Sequence, residues 1–363
     1  MPPEKTKSSA AGFAASGRAT LIGSLPVADH REALALIFAH TPEIPLWPQL
    51  PANPREGMMS QFIEGLPGVV EGEKTYIDAG AEQFQEQLLR FFEAYLQESE
   101  SPAPLPRSPF GVTRERAGGL YLLREECGSK PGIVAVKGQV TGPFTLLTGL
   151  TDQNQRLGYY DPTIREMAVK GLAMKAAWQV RFLKEMGLPV ILFIDEPALA
   201  GLGSSSFISI SLDDIGQDLR EVIGAAQQAG GLAGVHVCAN TDWNFLLSLP
   251  LDILSFDAYS YFDRLITCRE QLLSLLDRGG IIAWGLVPTS EEEAIRKETA
   301  DSLARRWEKQ AALLAGGRWD LPALLRQTLI TPSCGTGSLA PELARRVLAL
   351  TRDLSASLRA KYL

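Results

Sequence analysis

Apolar runs alternate with amphipathic stretches along most of this chain, and their order predicts the architecture. "TLIGSLP" (20–26) reads as a short strand, and "DHREALALIFAH" (29–40) carries apolar residues at helical spacing. "EIPLWPQLP" (43–51) reads as a second strand broken by prolines. Residues 52–131 form a long excursion. It holds a possible hairpin ("GVVEGEKTYID"), a Gln-, Glu- and Phe-rich helix ("AEQFQEQLLRFFEAYLQ"), a proline-rich loop ("SPAPLPRSPFG") and a further helix ending near Glu126. "GIVAVKGQV" (132–140) then reads as a buried strand. From there the rhythm is regular. A helix over 162–186 leads to "PVILFIDEP" (189–197), and one over 212–229 leads to "LAGVHVCAN" (232–240). A short helix near 243–248 leads to "DILSFDAY" (252–259), and one over 263–277 leads to "GIIAWGLVP" (280–288). A helix over 290–315 precedes "QTLITPSCG" (327–335), and a helix from Pro341 follows it. Strands this rich in Ile, Val and Leu are covered on both faces, as parallel strands are. Eight strands, each followed by helix, predict an α/β protein of the (β/α)₈ TIM-barrel class with an insertion after the second strand. A doubly wound open sheet is the alternative. The expected organisation is a flexible tail over 1–18 and a single barrel over 19–363, with 52–131 as an insertion or lid.

Composition narrows the function classes. The chain has 363 residues, 45% of them hydrophobic, and a formal charge of −7. A large core is affordable at this length, and an acidic balance argues against nucleic-acid or anionic-membrane partners. No apolar run reaches the ~18 residues a membrane span needs. The first twenty residues lack the apolar region of a secretory signal. Four scattered cysteines make no disulfide framework and point to a reducing cytoplasm.

In an α/β barrel the working residues lie where strands end, and the unusual residues of this chain collect there. Ser24 follows the first strand, and Gln49 ends the second. Lys137 and the "TGPFT" turn, with Thr141, end the third; Asp195 and Glu196 end the fourth. His236 and Cys238 end the fifth, Asp257 the sixth and Cys334 the eighth. Strand residues at i and i+2 share a face, so His236 and Cys238 converge. An imidazole and a thiolate make half of a tetrahedral zinc site, and Cys334 can supply a third ligand, leaving one position open for catalysis. Two thiolates favour zinc over magnesium or manganese. The competing reading is that H-x-C is ordinary strand sequence, since cysteine is often simply buried. Cys127 and Cys268 fall in helix-like segments and read as structural. Adjacent Asp195 and Glu196 face opposite ways on a strand, so only one can look into the pocket. "VKGQVTGPFT" lacks the phosphate-loop spacing and reads as a substrate-contacting turn.

Taken together, "IGS", "KGxxTGPxT", "IDEPAL", "HxC" and the final "CG" resemble, in order, the catalytic C-terminal barrel of cobalamin-independent methionine synthases, within the group that also holds uroporphyrinogen decarboxylase. The likeness runs over most of the chain from about residue 19. It implies that His236, Cys238 and Cys334 ligate zinc, with Asp257 where the family has a glutamate ligand. It implies that Asp195 holds the amino group of homocysteine, and that Ser24 with the backbone of Ile22 and Gly23 receives the carboxylate. It adds Gln49, Lys137, Thr141 and Glu196 as substrate contacts. The family's folate-pocket tryptophan beyond "GPxT" is absent, with Gly149 near its place, and its glutamate after the second strand has no clear counterpart, Gln49 or Glu56 standing nearest. The chain resembles the short single-barrel members, which implies methylcobalamin or a methylated corrinoid protein as co-substrate and leaves methyltetrahydrofolate as the second candidate. The alternatives are a corrinoid-dependent methyltransferase acting on coenzyme M or another thiol, a uroporphyrinogen decarboxylase that would leave the sulfur ligands unexplained, and a non-catalytic zinc-binding barrel.

Overall fold

A computed structural model describes residues 13–202, 207 and 209–363. An extended segment at 19–24 precedes α1 (His30–His40), which Asp29 caps by accepting from the Glu32 amide. A second extended segment at 44–49 opens into the excursion. There β1 (Val69–Val70) and β2 (Tyr76–Ile77) form the expected hairpin, with Val69 opposite Ile77. The helices α2 (Phe84–Glu100) and α3 (Gly118–Cys127) follow. The regular part then runs β3 (Val136–Thr141), α4 (Pro143–Gly149), β4 (Thr151–Asp152), α5 (Pro162–Lys184), β5 (Val190–Asp195), α6 (Leu212–Gln228), β6 (Leu232–Val237), α7 (Trp243–Leu247) and β7 (Ile253–Phe256). It continues through α8 (Ala258–Leu265), α9 (Arg269–Asp277), β8 (Ile281–Val287), α10 (Glu292–Lys297), α11 (Ala300–Ala315), α12 (Leu321–Arg326), β9 (Thr328–Pro332) and α13 (Pro341–Tyr362).

The expected eight strands become six. A curled parallel sheet runs β3-β5-β6-β7-β8-β9, and every residue in these strands is buried. The first two segments are not strands. They touch their neighbours through single bridges, Ala19 to Ile330, Ser24 to Gln49 and Leu46 to Lys137. The reason lies in the backbone. In the second segment Pro45 and Pro48 have no N–H to give to a ladder, so only isolated bonds form, such as Gln49 N to Gly23 O at 3.1 Å and Lys137 N to Pro45 O at 2.9 Å. The sheet is thus consistent with a TIM-like barrel without closing as a ladder of strands.

Inside the curl, Ile22, Ile44, Ile191, Phe193, Ile253 and Leu329 form an apolar core separate from the one under the helices. Ala15 belongs to it, and Phe13 packs against it. The expected tail over 1–18 is therefore too long. The Ser16 and Gly17 amides bind Arg326 O and Thr328 O at 2.9 and 2.8 Å, so 13–18 is docked, while 1–12 lies outside the described residues. The excursion is stitched to the sheet's surroundings by β4, which pairs in parallel with β2. Two expected helices are divided. Asp257 starts α8 early, and Thr299 restarts the chain as α11 with a capping box shared with Ser302. No helix among the described residues is long and apolar enough to cross a membrane.

Candidate metal centre

The centre is built from the ends of β6 and β9. His236 lies beside Ser255 in the register of β6 and β7, and its Nδ1 is 2.9 Å from the Ser255 hydroxyl. That contact fixes the ring and leaves Nε2, which is buried and has no hydrogen-bond partner. Cys238, two residues on, and Cys334, two residues past β9, complete the group. The ligand atoms of His236, Cys238 and Cys334 all lie within 4.8 Å of one another. An orphaned buried imidazole nitrogen beside two sulfurs fits zinc. Bond lengths of ~2.0–2.3 Å would draw such donors to separations of roughly 3.5 Å. The sulfurs are electrostatically unlike. The Cys334 thiol donates to Cys238, and His236 adds to the effect, bringing Cys238 down to about 4 against the cost of burial. Cys334 is correspondingly pushed up, first by that same hydrogen bond.

Asp195 ends β5 directly beside His236. It is buried, and its Oδ1 has no partner. Burial raises its pKa to about 6, while His236 and Lys137 pull the other way. Glu196 faces the opposite side, as alternation requires. It is 0% exposed and accepts from Phe144 N at 3.0 Å, Thr145 N at 2.9 Å and Thr145 Oγ1 at 2.6 Å. It caps the start of α4. Gly142 is glycine because a Cβ there would fall on the Glu196 carboxyl. Glu196 is therefore a brace between two strand ends, in place of the expected substrate contact.

Other expected contacts are also redirected. Lys137 is 0% exposed. Its Nζ donates to Ile22 O at 2.5 Å and Gln139 Oε1 at 3.3 Å and stands 4.4 Å above the Phe193 ring. It lies beneath the pocket, not in it, and burial lowers its pKa to about 7. Gln49 donates to Gln61 Oε1 at 2.6 Å, and Gln61 donates to Arg116 O at 2.7 Å. Its own Oε1 crowds Gly23, where a Cβ would sit 2.6 Å away. The Thr141 hydroxyl donates to Met58 O, and Glu56 holds His30 Nε2 at 2.7 Å, which removes Glu56 from the site. The start of the excursion is thus latched across the second and third strand ends. Ser24 Oγ accepts from Gly337 N at 3.1 Å, and its carbonyl accepts from Thr336 N at 3.0 Å. The Gly23 and Ser24 amides have no backbone partner among the described residues. Asp257 is not one of the clustered donors. Its carboxylate accepts from Ser260 N at 2.8 Å and caps α8, so the expected fourth ligand is a helix cap.

Cys127 and Cys268 are buried and free, in α3 and just before α9. Two residues escaped the sequence reading. Ser255 was legible as the one hydroxyl in "ILSF", an otherwise apolar strand. Gln61 was not, because nothing local to it signals a partner at Gln49.

No family profile matches the sequence, and a search of curated proteins finds no match. Solved structures do resemble it. A putative vitamin-B12-independent methionine synthase from Listeria monocytogenes matches with a TM-score of 0.51 and 15% identity over 93% of this chain and 96% of that one. A B12-independent methionine synthase from Shewanella sp. W3-18-1, solved with selenomethionine, gives a TM-score of 0.47 and 16% identity over 67% of this chain and 66% of that one, just under two thirds of its length. A GH20 catalytic module of the pneumococcal exo-β-D-N-acetylglucosaminidase StrH gives 0.46 at 9% identity, over 93% of this chain and 85% of that one. At these identities the likeness is one of fold.

Proposed function

We propose that this protein is a zinc-dependent methyltransferase that methylates a thiol, L-homocysteine, to give L-methionine, with a methylcorrinoid, free or protein-bound, as the donor. The observation that carries the reading is the orphaned, buried His236 Nε2 beside two sulfurs within 4.8 Å. His236, Cys238 and Cys334 would hold the ion, with a position left for a substrate sulfur. Bound there, zinc supplies the Lewis acidity that keeps a thiol of ordinary pKa ~8.5 ionised at neutral pH.

The chain's own residues supply the rest. Asp195 Oδ1, buried and without a partner, would take the acceptor's ammonium. The free amides of Gly23 and Ser24 form a small donor pair for its carboxylate, and Ser24 Oγ, already an acceptor from Gly337 N, retains a proton to give. Ser255 holds the His236 ring so that Nε2 faces the ligands. Two-point binding of an amino acid sets the direction of its side-chain sulfur. The methyl carbon then passes in line from donor to sulfur, the thiol proton leaving and the donor keeping its bonding electrons. Orientation of this kind can supply several kcal/mol, of order 7–11 at best. In this reading the excursion, latched through Met58 and Gln61, forms the donor-side wall.

The test is homocysteine methylation assayed with methylcobalamin and methyltetrahydrofolate side by side, with zinc quantified in the same preparation. One zinc per chain and methionine formed with methylcobalamin support the reading. Methionine from the folate alone replaces the donor. Stoichiometric zinc with no methylation of any thiol leaves a zinc-binding barrel and overturns the enzyme.

A further inference from the structure

The turn that carries Ile22, Gly23 and Ser24 belongs to no strand. A single bridge at each end, Ala19 to Ile330 and Ser24 to Gln49, and the Thr336 and Gly337 amides on Ser24 join it to its neighbours. The Gln49 amide holds the Gly23 carbonyl, and with it the Ser24 amide, but no backbone donor holds the Ile22 carbonyl among the described residues, so rotation of that peptide would swing the Gly23 amide away from the pocket. One side chain prevents this. Lys137, on the neighbouring strand β3, reaches up inside the curl and donates to the Ile22 carbonyl at 2.5 Å. Its other contacts are Gln139 Oε1 at 3.3 Å and the face of Phe193 at 4.4 Å. An ammonium has three protons and no lone pair, and these two acceptors and one π-face surround it with water excluded.

A buried cation is a costly way to hold a loop. The same region shows that a neutral group suffices for mere attachment, since Thr20 Oγ1 ties this segment to Ile44 O at 3.1 Å. The Lys137 Nζ reaches where no hydroxyl on this segment does: it grips the carbonyl of the peptide whose N–H is the Gly23 amide. The peptide plane is rigid. Fixing Ile22 O therefore fixes the direction of Gly23 N–H on its opposite edge.

We infer that Lys137 is a positioning residue: it clamps the Ile22–Gly23 peptide so that its N–H stays aimed at the acceptor's carboxylate. The inference rests on the amino-acid reading of the pocket given above. Lys137 touches no substrate. It acts through the turn, and it does not contact the three clustered donors.

The experiment compares wild type with Lys137→Met, which keeps length and loses the donor, and with Lys137→Gln, which keeps a donor on a shorter arm. Amide exchange over residues 20–26 is followed in the zinc-loaded protein without substrate. Steady-state methylation of homocysteine and zinc content are measured alongside. The expected result for Lys137→Met is exchange at the turn faster by about three- to tenfold and a homocysteine KM raised by a similar factor, the worth of one hydrogen bond. Zinc content stays at wild type and kcat within about twofold, the pattern of lost ground-state binding. Lys137→Gln should recover part of the protection, and it carries the test if the Met variant does not fold. Unchanged exchange at the turn, or a fall in kcat with KM constant, overturns the inference. A wild type that methylates no thiol instead sinks the function, and the exchange result still decides whether Lys137 holds the turn.

Discussion

The two halves of the barrel mouth hold their functional groups by different means. On one side β5, β6 and β9 place Asp195, His236, Cys238 and Cys334 through a continuous parallel ladder. On the other, the segments at 19–24 and 44–49 meet their neighbours only at single bridges, and side chains such as Lys137, Thr20 and Gln61 do the holding. A ladder fixes a side chain through the register of dozens of backbone atoms, so no single contact decides its position. A bridged segment depends on each tie. The ladder half should therefore fail at its ligands and the bridged half at its supports.

The largest expected effect lies in the ladder half. Cys238→Ser removes one of three donors from a group preformed within 4.8 Å. Zinc affinity should fall by more than about 100-fold, beyond what loss of a supporting partner costs, and methyl transfer should fall with it. Metal titration with a chromogenic chelator, run beside the methylation assay, checks this. A serine variant that retained zinc and full transfer would end the proposed chemistry.

Next comes Asp195→Asn, which separates substrate binding from metal binding inside the same half. Asp195 is beside His236 yet not among the clustered donors. Losing its charge should raise the homocysteine KM about 10–100-fold, the worth of a hydrogen bond to a charged group. Zinc content should not change. Zinc loss in this variant would move Asp195 from the acceptor to the metal.

These two cases also show what the sequence made legible. His236 and Cys238 could be paired from spacing alone, because strand alternation is local and rigid, and the clustering of Cys334 with them follows from the strand-end rule of α/β barrels. The opposed facing of Asp195 and Glu196 followed from the same alternation, yet Glu196 was still expected at the substrate. Only its three donors from Phe144 and Thr145 show where it points. Lys137 and Gln49 were misread for one reason. Their partners, Ile22 O and Gln61, are set by how the curl and the excursion fold over each other. Two of the eight strands were overcounted: short apolar runs look like strands by pattern, and in the second Pro45 and Pro48 lack the donors that make a ladder.

The halves should also titrate with opposite sign. Burial outweighs three hydrogen bonds and raises Glu196 from its ordinary 4.5 to about 7. Between those values the folded chain keeps a proton that the unfolded chain has released, so this group's stabilisation is full below pH ~4.5 and is lost as pH rises to ~7. Lys137 is lowered by burial from 10.5 to about 7. There the unfolded chain holds the extra proton, so its contribution improves as pH rises from ~7 to ~10.5. Unfolding free energy against pH, from denaturant titrations, should be flatter on the acid side for Glu196→Gln and on the alkaline side for Lys137→Met, each by at most ~1.4 kcal/mol per pH unit. Curves parallel to wild type would place the buried protons elsewhere.

The smallest effect tests the border between ligand and scaffold. Asp257 stands where the motif resemblance expects a metal-binding carboxylate, and it ends a strand next to the ligand-bearing β6. Its oxygen is instead given to Ser260 N at 2.8 Å, with the extended backbone of a helix N-cap, φ −74° and ψ 92°. A carboxylate holding a helix terminus is not free to approach an ion without unwinding the first turn of α8. Asp257→Ala should then cost about 1 kcal/mol of stability, the usual worth of a cap. Asp257→Ser, which can cap but is a poor ligand, should recover most of it. Zinc affinity should be the same in all three proteins. If the alanine and serine variants lost zinc equally while only one lost stability, the carboxylate would be serving the metal, and α8 would have to start differently in the zinc-loaded protein.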